Sequence, residues 1–117
     1  MATITPVKSR VKNWADAWTI VWETVGNADT GTGVEMPHMS DRSVQMSGTW
    51  GAATILLQGS NDNVTWLTLT DGQGNAISKT ADAIEQIAEF TRYIRCSSSG
   101  GTGTDVDVTV FGRGQVN

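Results

Sequence analysis

The feature that most constrains this chain is a series of short segments in which apolar and polar residues alternate. The clearest spans residues 105–111, where Val106, Val108 and Val110 alternate with Asp107, Thr109 and Phe111. A period of two residues puts alternate side chains on opposite faces of a strand, so this segment predicts a strand with one buried face. Clusters of Gly, Asn, Asp and Ser end the segments at intervals of roughly ten residues, which is typical of a sandwich or small barrel.

Strands of the same kind are predicted at residues 44–50, 53–58, 65–70 and 92–96. A shorter extended piece at residues 34–39 contains Pro37, which favours a place at the edge of a sheet. Ser, Gly and Thr dominate residues 97–104 and predict a loop there. Together these segments predict an all-β, single-domain fold of about eight short strands, either a sandwich or a small barrel.

Two segments are ambiguous. Residues 14–25 fit both a helical stripe and a strand, but Thr19, Ile20, Val21 and Trp22 are β-branched or aromatic and favour a strand. Residues 81–90 fit one helical turn or an irregular strand, and the pattern does not decide between them.

The basic residues are concentrated near the N-terminus. Lys8, Arg10 and Lys12 precede the first acidic residue, Asp16, whereas the rest of the chain holds five basic and twelve acidic residues. Residues 1–13, with Pro6, predict an extended N-terminal arm, and residues 14–117 predict the β-sandwich domain. The acidic body carries no basic stripe for a phosphate backbone, so no nucleic-acid partner is expected.

The cysteine content and the hydropathy pattern indicate the cellular compartment in which the protein is made. The single cysteine, Cys96, excludes an intrachain disulfide, and its inward position in a predicted strand indicates a small buried apolar side chain. No apolar run reaches the roughly 20 residues of a membrane span, and the N-terminus lacks the apolar core of a signal peptide. We therefore expect synthesis in a reducing cytosol and no membrane partner.

The chain has few residues of the types that catalyse reactions or bind metal ions. His38 is the only histidine and Cys96 the only thiol, so neither a catalytic triad nor a zinc cluster is expected. Asn61, Asp62 and Asn63 offer oxygen ligands, but their spacing does not match a calcium loop and such residues usually bond their own backbone. The sequence predicts no catalytic residue, no metal site and no cofactor.

Five tryptophans in 117 residues need an explanation. Trp50 and Trp66 are predicted to fill the space between two sheets. Trp14 and Trp18 fit either a core position or an edge that meets a partner, because they follow the basic arm. We expect the partner-binding residues to be Lys8, Arg10, Lys12, Trp14 and Trp18.

Residues 59–69, GSNDNVTWLTL, and the later Arg92-Tyr93-Ile94-Arg95 resemble a strand-loop-strand signature of galactose-binding-like and discoidin-like jelly rolls. Asn63 stands where that loop usually has a second Gly. The wider pattern, over residues 18–112, resembles the small cement (decoration) proteins of tailed-bacteriophage capsids. It includes the segments 27–31, 40–45 and 69–75, the loop that begins at Gly59, residues 92–95 and the final Val-alternating strand.

This second resemblance implies a single-domain antiparallel β-sandwich that is jelly-roll-like. It also implies a structural virion protein without enzymatic activity. Such proteins bind the outer capsid surface and cement neighbouring major capsid proteins of the HK97 type, which stabilises the shell. The resemblance further implies a homo-oligomer, with a dimer favoured over a trimer, located on the virion surface after synthesis in the host cytoplasm. The alternative is a carbohydrate-binding jelly-roll module of a phage tail or fibre, which would use exposed tryptophans.

Overall fold

The structure is a computed structural model that describes residues 2–11 and 17–114. Within these ranges the chain forms twelve strands and no helix. Five strands have eight or nine residues, and the others are short. The strands are β1 (Thr3–Ile4), β2 (Val7–Arg10), β3 (Ala17–Val25), β4 (Thr30–Gly31), β5 (Val34–Glu35), β6 (Asp41–Thr49), β7 (Ala53–Ser60), β8 (Leu67–Thr68), β9 (Ser78–Lys79), β10 (Ala83–Gln86), β11 (Tyr93–Gly100) and β12 (Asp105–Arg113).

The strands form two sheets. The seven-stranded sheet has the order β1-β4-β11-β7-β8, with β5 also paired to β11 and β9 to β7. The five-stranded sheet has the order β10-β6-β12-β3-β2. Every pairing is antiparallel except the short one between β1 and β4. The predicted all-β, jelly-roll-like sandwich is confirmed.

The core lies between the two sheets. In β12 the alternation predicted from the sequence is confirmed, because Val106, Val108 and Val110 are fully buried. Cys96 is also buried, as expected. The largest fully buried side chain is Trp22, whose indole nitrogen donates a hydrogen bond to the Thr32 carbonyl at 2.9 Å. The remaining core residues come mainly from the long strands and include Ile20, Val25, Val44, Met46, Ile55, Leu57, Ile77 and Ile94.

Strand β3 confirms the preference for a strand in the described part of residues 14–25. It contains a β-bulge: Glu23 and Thr24 lie opposite the single residue Asp107 of β12. Thr24 adopts a φ of 57°, and its N–H donates to the Asp107 carboxylate at 3.0 Å. The extra residue resets the alternation, so that Trp22 and Val25 both face the core.

The structure decides one segment that the sequence left open and corrects another. The undecided segment 81–90 contains strand β10, which pairs with β6. The loop predicted at residues 97–104 is wrong in its first half, because Ser97 to Gly100 continue β11 and pair with β7 from Leu56 to Ala53. A long partner strand supplies a full ladder of hydrogen bonds there, and this outweighs the weak strand preference of Ser and Gly.

The N-terminal segment contributes to both sheets. Thr3–Ile4 forms β1 beside β4, and Val7–Arg10 forms β2 beside β3. The described part of the expected arm is therefore extended and paired. The predicted boundary between arm and domain, at residues 13 and 14, lies outside the described residues.

Of the two tryptophans predicted to lie between the sheets, one contacts the core and the other lies outside it. Trp50 is partly buried and packs against the core, while its indole nitrogen donates to Asp82 at 2.8 Å. The core position predicted for Trp66 is wrong, since Trp66 is half-buried outside the core cluster. The guanidinium of Arg95 lies 4.4 Å from the Trp66 ring centre, and a side chain on Gly33 would collide with the same ring. Residue type alone does not distinguish an inward from an outward tryptophan.

Arg42 joins the loops at one end of the sandwich. Its Nε donates to the Met39 carbonyl, and its Nη2 donates to the carbonyls of Met36 and Thr91, each at 2.6 Å. The Phe90 ring lies 4.9 Å from the guanidinium carbon. Burial lowers the pKa of Arg42 to about 10, so this side chain stays charged at neutral pH.

Candidate partner-binding surface

The side chains on the outer face of the five-stranded sheet form rows that cross all five strands. Strand pairing places one residue of each strand side by side, on the face turned away from the core. The first row is Ile84, Gln45, Thr109, Val21 and Val7, and the second is Gln86, Ser43, Phe111, Thr19 and Ser9. We call these ten residues the five-strand face.

The ten residues of the five-strand face include no charged side chain, whereas the rows on either side of them carry Asp107 and the Asp41–Arg113 pair. Ile84 is 68% exposed, Val7 52% and Phe111 42%, so three large apolar side chains contact solvent on it. Solvent-facing strands of soluble proteins usually carry polar and charged residues in alternation with the buried ones. An exposed, uncharged sheet face of this kind is typical of a surface that a partner covers.

A groove continues the five-strand face at the next row. This row contains Asp41 of β6 and Arg113 of β12, which form an ion pair at 2.8 Å between exposed side chains. The groove has a volume of about 680 Å³. Its walls include Phe111 from the second row and the apolar residues Val11, Ala17, Ile87 and Ala88. The face therefore ends in a concave, partly apolar region with one ion pair.

Strand β2 forms one edge of the same sheet. All four of its residues are exposed. The side chains of Val7 and Ser9 belong to the five-strand face, while Lys8 and Arg10 alternate with them and point to the other side. The Lys8 ammonium lies 5.2 Å from the ring centre of Trp18, which is partly buried and packs against the core.

The structure brings together three of the five residues expected to bind a partner. Lys8 lies over Trp18, and Arg10 is the register partner of Trp18 across the β2–β3 ladder. Lys12 and Trp14 lie outside the described residues. The five-strand face itself was not among the expected sites. Its sequence signal is the outward position of Phe111 in the Val-alternating strand.

The histidine and the cysteine, two residue types common in catalytic sites, lie in opposite environments. His38 is exposed on a turn. Burial raises the pKa of the Cys96 thiol to about 12, which keeps this sulfur protonated and unreactive. In the part of the chain that the structure describes, no three His, Cys, Asp or Glu side chains converge to hold a metal ion. The same residues include no helix with the length and apolar character to cross a membrane.

The loop between β7 and β8 is held by a carboxylate, as is usual for turns rich in Asx residues. Asp62 accepts hydrogen bonds from the N–H groups of Val64 and Thr65, both at 2.9 Å, and from the Ser60 hydroxyl at 2.8 Å. The bonds from Thr65 and Val64 lower the pKa of Asp62. Its carboxylate therefore stabilises the loop by accepting hydrogen bonds from backbone N–H groups, and the lower pKa keeps it ionised.

A platform for sugar stacking needs an open aromatic face. Arg95 covers one face of the Trp66 ring and is itself fixed by a 2.9 Å hydrogen bond to Gln58 Oε1. The outer face of the seven-stranded sheet thus uses its tryptophan in a cation–π contact within the protein.

Comparison with known proteins gives a fold but no family. No protein-family model matches the sequence, and no curated protein matches it significantly. Among solved structures, the SPBc2 prophage-derived protein YomS is similar with a TM-score of 0.69 and 16% identity. The likeness covers 89% of this chain and 98% of YomS. The chain therefore has the fold of a prophage-derived protein over nearly the whole length of both.

Two further structures are more distant. An RmlC-like cupin protein from Desulfovibrio desulfuricans has a TM-score of 0.45 and 11% identity, over 93% of this chain and 82% of the cupin. The IMPa metallopeptidase of Pseudomonas aeruginosa has a TM-score of 0.46 and 12% identity, over 96% of this chain but 13% of IMPa. Scores at this level carry no argument about function.

Proposed function

We propose that this protein is a structural protein of a bacteriophage virion that binds the outside of the capsid. Its five-strand face covers part of the shell and holds neighbouring major capsid proteins together, without catalysis. The observation that carries the proposal is the exposed, uncharged face across all five strands. The fold shared with a prophage-derived protein supports a phage origin.

The size of the five-strand face suits a repeated contact. Two rows across five strands span roughly 330 Å² of sheet plane, from about 4.8 Å between strands and about 3.4 Å per residue. A stable interface usually buries about 800 Å² on each partner, so one copy on this face alone binds weakly. A shell presents many identical sites, and a protein that contacts two adjacent subunits, or that is itself a dimer, gains affinity through multivalency.

The test is cosedimentation with capsids that lack this protein, from the phage that encodes it. We expect saturable binding by the wild type and a higher temperature of capsid rupture. Ile84→Glu and Phe111→Glu place a carboxylate on the five-strand face at exposed positions. We expect each to weaken binding by about tenfold or more, because an unpaired charge must then be buried.

Matched controls lie elsewhere on the surface. Leu67 and Val64 are 70% and 78% exposed, close to the exposure of Ile84, but they belong to β8 and to the loop before it. Leu67→Glu and Val64→Glu should bind capsids as the wild type does. Absence of wild-type binding would refute the proposed function, and equal binding by all four variants would show that the five-strand face is not the contact.

A further inference from the structure

Part of the β2 backbone has no partner among the described residues. The Val11 N–H donates to the Ala17 carbonyl at 2.9 Å, so Val11 and Ala17 are a hydrogen-bonded pair of the β2–β3 ladder. Such pairs alternate along an antiparallel ladder, which makes Ser9 with Thr19 the next one. The N–H and C=O groups of the residues between them, Lys8 and Arg10, therefore point away from β3. No other strand of the described residues pairs with β2.

The other edge of the sheet, strand β10, carries a different charge. Strand β10 carries Glu85, which forms an ion pair with Lys79 of the seven-stranded sheet. The chain just after it is hydrogen-bonded to the segment that follows β8, from the Ala88 N–H to the Thr70 carbonyl at 2.9 Å. The Ile87 N–H donates to the Arg42 carbonyl at 3.0 Å, so by the same alternation the backbone groups of Ile84 and Gln86 point away from β6. The two edges therefore differ in their charges and not in their backbone pairing. The β2 edge carries two cations, Lys8 and Arg10, beside backbone groups that no described strand pairs.

We propose that an extended, carboxylate-bearing segment of the shell protein pairs with β2 as a sixth strand of this sheet. This inference rests on the proposed function and names the chemistry of the partner. Backbone groups of Lys8 and Arg10 supply two donors and two acceptors, and their side chains attract carboxylates that alternate along the incoming strand. The chain as a whole is acidic, so this edge is where an acidic segment meets attraction instead of repulsion.

The added strand also extends the five-strand face. Val7 and Ser9 lie on that face at the β2 edge, and the side chains of a paired segment would continue their rows. One contact thus combines backbone pairing at the edge with side-chain burial on the face. The larger combined area strengthens the binding of each copy.

The test compares Lys8→Pro with Lys8→Ala in cosedimentation with capsids that lack the protein. Both variants remove the charge, but only proline removes the outward N–H, and it leaves the β2–β3 ladder bonds in place. We expect Lys8→Pro to bind at least about fivefold more weakly than Lys8→Ala. Arg10→Glu should weaken binding further at low salt, since it opposes the carboxylates. Circular dichroism and the melting temperature establish that each variant is folded.

Amide hydrogen exchange on the wild type gives a second, mutation-free measurement. In capsid-bound protein the amides of Lys8 and Arg10 should exchange more slowly than in free protein. Equal exchange in both states, together with equal binding by Lys8→Pro and Lys8→Ala, would overturn the sixth strand and leave the proposed function standing. Failure of the wild type to bind capsids would overturn both. Slow exchange in free protein that sediments as a dimer would assign the edge to a second copy and contradict the inference.

Discussion

Arg42 is a buried cation whose partners are three backbone carbonyls instead of a carboxylate. Replacing it with methionine removes this donor from the carbonyls of Met39 and Thr91, whereas the Met36 carbonyl keeps the Met39 N–H at 3.2 Å. We expect Arg42→Met to lower the free energy of unfolding by about 3–5 kcal/mol, the usual cost of breaking a buried polar network. Urea denaturation measures this loss.

Arg42→Lys is the control, since lysine keeps the charge but offers a single nitrogen in place of a planar fork. We expect the free energy of unfolding of Arg42→Lys to lie between those of the wild type and Arg42→Met. A methionine variant as stable as the wild type would show that the carbonyls find other donors and that Arg42 does not hold the loops together.

Cys96 gives the protein a defined dependence on alkaline pH. Burial raises the pKa of its thiol to about 12, whereas an unfolded cysteine titrates near about 8.5. A raised pKa means that the folded state favours the protonated form, so stability is full below the unfolded pKa and declines as pH rises toward 12. Between about pH 8 and about pH 10.5 the thiol should cost the wild type about 2–3 kcal/mol of unfolding free energy.

Cys96→Ala removes this titration and serves as the reference. The measurement is urea unfolding of both proteins across the same pH range. Because other groups titrate in both, the informative quantity is the difference between the two proteins. Parallel pH profiles would mean that the thiol does not contribute.

At the scale of single elements, the bulge in β3 decides which side chains face the core. Thr24 is a β-branched residue with a φ of 57°, a conformation that costs energy for any residue except glycine. We expect Thr24→Gly to raise the free energy of unfolding by about 0.5–1 kcal/mol, since relief of strain exceeds the extra chain entropy lost on folding.

Thr19 lies in the same strand without a positive φ and provides the matched control. Thr19→Gly should be destabilising by about 1 kcal/mol, because it gains no relief from strain and loses strand preference. If both glycine variants were equally destabilised, the backbone at Thr24 would not be strained. Thermal or urea unfolding of the pair measures the contrast.

The elements differ in how far the sequence predicts them. The alternation around Val108 is strong, and β12 follows it. The continuation of β11 through Ser97 to Gly100 depends on pairing with β7, a partner about 40 residues away, so local composition cannot reveal it. Local composition does not reveal the five-strand face either. An outward Phe111 is readable, but its rows exist only once five distant strands are in register.

At the scale of the whole molecule, the sheets join segments that are far apart in the chain. Strand β3 pairs with β12, and β4 near the N-terminal part pairs with β11. Such pairings must close long loops before they gain contacts, so we expect refolding in milliseconds to seconds, not microseconds. Stopped-flow tryptophan fluorescence after dilution from urea measures the rate, with Trp22 reporting burial. Refolding within microseconds would contradict the importance of distant pairing.

The N-terminal segment passes from the seven-stranded sheet at β1 to the five-stranded sheet at β2. A pull directed along β2 would load all the β2–β3 hydrogen bonds in parallel, as a shear, instead of opening them one after another. Antiparallel bonds lie perpendicular to the strands, which is the orientation that resists sliding. Because the same segment is anchored in both sheets, tension along this edge would be shared by the whole sandwich. Under the proposed function, lateral stretching of a capsid shell by internal pressure is a load that this geometry resists.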